Sequence, residues 1–190
     1  QVLALAAQTE AGDENIRAID PRNAFLMDMM LRDVTIYGTA AKASAILKRG
    51  QIPAVLGGDH SSPEGCIRAV SEATGGSFGV LHVDAHADLR FQYQGFERSH
   101  ASIMNNVINA DWRPQKLVQV AIRDFCQEEY ELIQQKDQIQ TFFDLNLKRS
   151  LFEGETWASI CARIVADLPE QVYVSFDIDG LRPEYCPNTG

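Results

Sequence analysis

Three short apolar runs in this 190-residue chain each lead directly into side chains that can bind cations, and that recurrence narrows the possible folds more than any other feature. Ile52-Pro53-Ala54-Val55-Leu56 leads into Gly57-Gly58-Asp59-His60. Phe78-Gly79-Val80-Leu81 leads into Val83-Asp84-Ala85-His86-Ala87-Asp88. Val172-Tyr173-Val174-Ser175-Phe176 leads into Asp177-Ile178-Asp179-Gly180. Each run is brief and bounded by turn residues or acids, which reads as a buried strand rather than a helix. If the backbone stays extended past the second run, Asp84, His86 and Asp88 point to the same side, about 7 Å from one to the next.

Between and after these runs the pattern alternates. Ser62-Pro63 reads as an N-cap followed by proline, opening a helix to about Glu72. A polar and aromatic loop spans Leu89 to Ser99, and a helix is expected from His100 to about Asn109. Lys116–Ile122 reads as a strand ending in Arg123-Asp124, and a helix follows to about Lys136. Ile139–Phe142 reads as a short strand, and Glu155–Asp167 as an amphipathic helix carrying Ile160, Ile164 and Val165. Nearer the N-terminus, Gly12-Asp13-Glu14-Asn15 signals a loop. Residues 22–49 read as mainly helical, with Phe25, Leu26, Met29 and Met30 on the apolar stripe. Strand followed by helix, repeated, predicts a parallel sheet covered on both faces in a single α/β domain over 1–190.

The net charge of -9 argues against a nucleic-acid partner, which would want a basic stripe. No apolar run approaches a membrane span, so a membrane partner is not expected. Cys66, Cys126, Cys161 and Cys186 are scattered without a CxxC pair, as in a reduced protein of the cytoplasm.

In parallel α/β sheets ligands bind beyond the C-terminal ends of the strands. Six groups converge there on this reading: His60, Asp84, His86, Asp88, Asp177 and Asp179. They exceed what one transition ion needs and suit two, with a carboxylate shared between ions about 3.5–4 Å apart. Oxygen and imidazole donors without thiolate favour Mn²⁺ over structural zinc. Paired cations activate water, so hydrolysis is the expected reaction class. The Gly57-Gly58-Asp59-His60 loop lacks the lysine and the spacing of a phosphate-binding loop.

GGDHS (57–61), VDAHADLR (83–90) and SFDIDGLRPEYCPNTG (175–190) resemble, in order and spacing, the ureohydrolase family of arginase, agmatinase and formimidoylglutamase. The resemblance implies a three-layer α/β/α fold and two manganese ions. His60 and Asp88 would serve one ion and His86 and Asp179 the other, while Asp84 and Asp177 would touch both. It also implies a small guanidino substrate and a homo-oligomer when the protein is full length. Family members continue past Gly190 to a glutamate that engages the guanidinium group, and they carry more chain at the N-terminus. The domain is therefore expected to be incomplete at both ends.

Within the family, Asp88-Leu89-Arg90 and Tyr93-Gln94-Gly95 through Ser99-His100-Ala101-Ser102 look most like agmatinase, which converts agmatine to putrescine in polyamine biosynthesis. His100 falls at the family's proton-transfer position. Arg90 stands where arginases carry an asparagine that grips the amino-acid head group. That leaves a formimidoylglutamase, another guanidino-acid hydrolase or an arginase open as alternatives, with Arg90 pairing a substrate carboxylate. A degenerate, non-catalytic metal-binding assembly subunit is the alternative outside enzymology. His82, on the strand itself, is expected to pack behind the ligands.

Overall fold

Strands β1 (Gly79–Val83), β2 (Lys116–Ile122), β3 (Ile139–Phe143) and β4 (Val172–Phe176) lie side by side in the order β3-β2-β1-β4. All three pairings are parallel. The computed structural model describes residues 40–189. The loop expected at residues 12–15 and the helical stripe of Phe25, Leu26, Met29 and Met30 lie outside them.

Among the described residues six α-helices accompany the sheet: α1 (Ala40–Leu47), α2 (Glu64–Thr74), α3 (Ile103–Asn109), α4 (Gln127–Gln135), α5 (Asp144–Phe152) and α6 (Trp157–Ala166). Parallel strands need crossovers, and these helices cover both faces. On one face Val80, Leu117 and Ile139 pack with Ile67 of α2, Met104 and Val107 of α3, and Ile133 of α4. On the other, Val118, Val120 and Phe142 pack with Leu147 of α5 and with Ile160 and Ile164 of α6. Phe78, Ile67 and Ile103 are fully buried, each contributing roughly 1.5–3 kcal/mol of apolar transfer. The result is the expected three-layer α/β/α fold. No described helix is long and apolar enough to cross a membrane.

Local chemistry explains where the helices begin and end. Thr156 accepts the Ser159 N–H at the start of α6, and Gly75, at φ 61°, closes α2 with its N–H on the Ser71 carbonyl.

Two expectations need correction, and one helix carried no expectation. Ile52–Leu56 is not a strand. A strand exists by pairing, and Ile52–Leu56 forms no ladder with β4, the two being joint walls of an open groove of about 360 Å³ lined by Val55, Leu56, Tyr173 and Val174. Ile52 and Leu56 are left exposed, and His60 arrives on a loop instead of a strand end. Ser62 does not cap α2: its hydroxyl donates to the Asp59 carbonyl at 2.9 Å, and Pro63 occupies the N-cap. The helix without a sequence expectation is α5, which follows β3 with no connecting loop. Its Asp144-Leu145-Asn146-Leu147 opening buries only Leu147 and therefore carries little periodic signal.

Candidate functional site

β1 and β4 are neighbours in register, Val83 opposite Phe176, so the residues that follow them leave the sheet together. Asp84 follows β1 and Asp177 follows β4, and the Asp177 N–H donates to the Val83 carbonyl at 2.9 Å. The loop from Gly57 to Pro63 brings in His60, whose Nε2 lies 2.8 Å from Ser175 Oγ.

His60 Nδ1 faces three carboxylates, 2.7 Å from Asp84 Oδ2, 3.1 Å from Asp88 Oδ2 and 3.5 Å from Asp177 Oδ2. Despite these short distances the nitrogen is buried without an aligned hydrogen-bond partner. Burial alone would lower its pKa, but Asp84 and Asp88 more than reverse that and push it up to about 10. A buried imidazole nitrogen facing three carboxylate oxygens is a place suited to a cation.

The other oxygen of Asp84 serves the opposite side. Oδ1 accepts the His86 N–H at 2.7 Å and lies 3.4 Å from His86 Nδ1. That ring nitrogen is 3.1 Å from Asp179 Oδ2, while Asp179 Oδ1 accepts the Ala85 N–H at 3.1 Å. Burial raises the Asp179 pKa, with the charge of Asp84 adding to the effect. For Asp84 burial acts in the raising direction, but the imidazoles of His60 and His82 close to its oxygens win and lower its pKa. One carboxylate thus stands between two clusters of donors. Ligand-capable atoms of His60, His82, Asp84 and Asp88 lie within 4.8 Å of one another, as do those of Asp84, His86 and Asp179. Asp177 turns one oxygen toward His60 and accepts the Asp179 N–H with the other.

The structure brings the six predicted residues together, but not by an extended backbone through residue 88. Asp88 has φ 53°, in the left-handed region, at a cost of about 1–2 kcal/mol for a residue with a β-carbon. Its carbonyl receives the N–H groups of Met104 and Asn105 at the head of α3. This turn sends its side chain to His60, while His86 goes to Asp179.

An open cleft of about 380 Å³ lies over these groups, and its wall includes Arg90, Tyr93, His100, Asp124 and Glu129. His100 packs edge-on against Tyr93, ring centroids 5.4 Å apart. The Arg90 guanidinium lies 5.6 Å from the Tyr93 ring centre, and its Nε is 3.8 Å from Glu129 Oε2. Arg123 donates to the carbonyls of Asp179 and Leu181, so it braces the turn after β4. Asp124 is exposed at the mouth, 3.8 Å from His86 Nε2.

Glu129 went unread in the sequence. It is buried, and its two oxygens accept the N–H groups of Leu89 at 2.9 Å and Cys126 at 2.8 Å. Its position three residues after the α4 N-cap was the available signal, since a glutamate there closes a capping box. Gln119 was missed as well, although it is the lone polar residue inside Leu117–Ile122.

The donors fit divalent cations that take oxygen and imidazole ligands. Asp84, Asp88, Asp177 and Asp179 supply oxygen, His60 and His86 supply nitrogen, and no cysteine lines the cleft. Two His60-side facts, the orphaned Nδ1 and the surrounding acids, call for a positive charge independently of any relative.

Comparison with known proteins agrees. The sequence profile of the arginase family matches residues 6–190. The N(1)-aminopropylagmatine ureohydrolase of Synechocystis is 30% identical over 141 residues, 74% of this chain and 43% of that protein. Arginase from Bacillus cereus superposes with a TM-score of 0.68 at 22% identity, over 85% of this chain and 58% of that one. A Trypanosoma cruzi formiminoglutamase variant, solved with Mn²⁺, superposes with a TM-score of 0.67 at 19% identity, over 77% of this chain and 48% of that one. The chain spans about half the length of the relatives it matches.

Proposed function

Because the chain belongs to the arginase family, we propose that the intact protein is a manganese-dependent hydrolase of a guanidino compound, releasing urea, with agmatine or a similar amine as substrate. The observation that carries this reading is the division of Asp84, one oxygen toward His60 and the other toward His86. His60, Asp88 and Asp177 with Asp84 would hold one ion; His86 and Asp179 with Asp84 would hold the other. When bound, such a pair of cations acidifies water and offsets charge that develops around the guanidine carbon.

The residues of the cleft supply the rest. Hydrolysis adds the oxygen of water to the guanidine carbon and breaks its bond to the alkyl nitrogen, which leaves as an amine after gaining a proton. His100, held against Tyr93 on the cleft wall, is the group suited to pass that proton. Asp124 and Glu129 make the wall acidic, and Glu129 partly offsets Arg90. A cationic tail, as in agmatine or aminopropylagmatine, suits that wall. Arg90, part-exposed and facing the same cleft, favours a second reading in which the substrate ends in a carboxylate.

Urea release by the intact protein from agmatine, aminopropylagmatine, arginine and formiminoglutamate, with and without Mn²⁺, tests both readings. Formiminoglutamate should yield formamide and not urea, so its product is assayed separately. Turnover of a free amine identifies the first reading; turnover confined to amino acids identifies the second. No turnover of any, with metal bound, would leave the protein outside this chemistry.

A further inference from the structure

A row of polar side chains crosses the sheet at one level beneath the acids. Strand register pairs Thr141 of β3 with Gln119 of β2, and Gln119 with His82 of β1. His82 and Gln119 are wholly buried, on the face that carries Val80 and Leu117 into the core. Polar groups so placed are costly unless their hydrogen bonds are complete, and here the bonds fix one another.

The carbonyl of Ala87 can only accept, and the Gln119 side-chain nitrogen lies 2.7 Å from it. The Gln119 oxygen then accepts the Thr141 hydroxyl at 2.9 Å. The second amide proton of Gln119 points to His82 Nδ1 at 3.1 Å, so that ring nitrogen is an acceptor. The proton of the neutral imidazole must then sit on Nε2, which donates to Asp84 Oδ2 at 2.8 Å.

We propose that Gln119 and Thr141 are positioning residues that act through His82, holding it as an Nε2–H donor to Asp84, and that His82 is not itself a metal ligand. The inference rests on the metal-site reading above and deepens it. His82 lies among the atoms able to surround a cation beside His60, yet both its nitrogens are committed. Its bond to Oδ2 sets the plane of the carboxylate that stands between His60 and His86. Partners of this kind behind a ligand change metal affinity about 10- to 100-fold when removed.

The test has two arms, neither of which needs substrate. Long-range ¹H–¹⁵N correlation spectra of the intact metal-free protein, with labelled histidine, report the His82 tautomer directly. The expected pattern is a protonated Nε2 and a bare Nδ1, unchanged when a diamagnetic divalent cation is added. A protonated Nδ1, or an Nε2 that becomes a ligand, overturns the proposal. In the second arm Mn²⁺ titrations compare Gln119→Leu, Gln119→Glu and Thr141→Val with the parent protein. Gln119→Leu should weaken binding about 10- to 100-fold, and Thr141→Val by less. Gln119→Glu, which can only accept, should move the proton to Nδ1. Parent-like affinity in a folded Gln119→Leu variant would also overturn the proposal. If that variant does not fold, the spectrum of the parent protein decides alone. Absence of urea from every guanidino compound, with the tautomer and affinity results as expected, would remove the proposed function and leave this inference standing.

Discussion

The backbone of Gly180 packs so closely on Asp84 that a β-carbon at residue 180 would stand 2.8 Å from the Asp84 amide nitrogen and 3.1 Å from its α-carbon. The turn after β4 is thereby pressed against the turn after β1, and Asp179 reaches the Ala85 N–H. Gly180→Ala should force these turns apart, costing about 1–3 kcal/mol in stability. Mn²⁺ affinity should fall with it. Thermal unfolding of metal-free protein and a metal titration check both effects, and unchanged values would show that the turns have slack.

The division of Asp84 between two donor clusters predicts unequal losses. Asp84→Asn should lower occupancy of both ions, whereas His86→Ala should empty mainly one. Asp177→Ala is expected to resemble the Asp84 variant if Asp177 is shared, and to spare the ion near Asp179 if it serves only the His60 side. Metal-to-protein ratios, with the spin-coupling signature of a manganese pair, separate these outcomes.

His60 predicts a pH dependence. Burial opposes its charge, Asp84 and Asp88 outweigh burial, and its pKa rises from 6.5 to about 10. A raised pKa stabilises the metal-free fold fully below about pH 6.5, and that contribution is lost as pH climbs toward 10. A cation must displace the same proton, so Mn²⁺ affinity should increase with pH over this window. Binding near pH 7 should release about one proton from this site. Calorimetry in buffers of different ionisation enthalpy measures that release, and none at all would contradict the assignment of His60 as a ligand.

The substrate readings part at Arg90 and Glu129. For an amine substrate, Arg90→Ala should cost little in KM, while a large loss would favour a carboxylate-bearing substrate. Glu129→Gln leaves one oxygen to serve both the Leu89 and Cys126 N–H groups. An unsatisfied buried N–H costs about 1–3 kcal/mol, so Tm should drop. The amine substrate should also show a raised KM, because Arg90 then loses its counter-charge. KM and kcat for each substrate class read these effects apart.

Much of this architecture is legible in the amino-acid sequence. The strands at 116–122 and 172–176 stand where the apolar runs put them, because both are central or paired enough to keep near-continuous hydrophobic patterns. The convergence of Asp84, His86, Asp88, Asp177 and Asp179 was legible because residues after neighbouring parallel strands share one end of the sheet, whereas His60 joins them from a loop. Illegible features depend on partners distant in the chain. Ile52–Leu56 has strand composition, but pairing decides, and among the described residues no strand pairs with it. Asp88 reaches His60 only through a left-handed turn stabilised by α3. Gln119 and Thr141 look like ordinary strand residues until the register sets them beside His82.

The final prediction concerns the edge of the sheet. Among the described residues β4 pairs only with β1, which leaves the other side of its backbone without a ladder. Val174, Phe176 and Ile178 are each more than half exposed there, and Leu56 stands bare across the groove. An open parallel edge flanked by apolar side chains is a template for another chain. Residues 1–190 produced alone should therefore self-associate or aggregate. Val174→Lys should reduce that tendency by placing a charge on the edge without touching Asp177 or Ser175. Light scattering and sedimentation over a concentration series provide the measurement. A parent polypeptide that stays monomeric across the series, with Val174→Lys indistinguishable from it, would show that this edge is not open in solution.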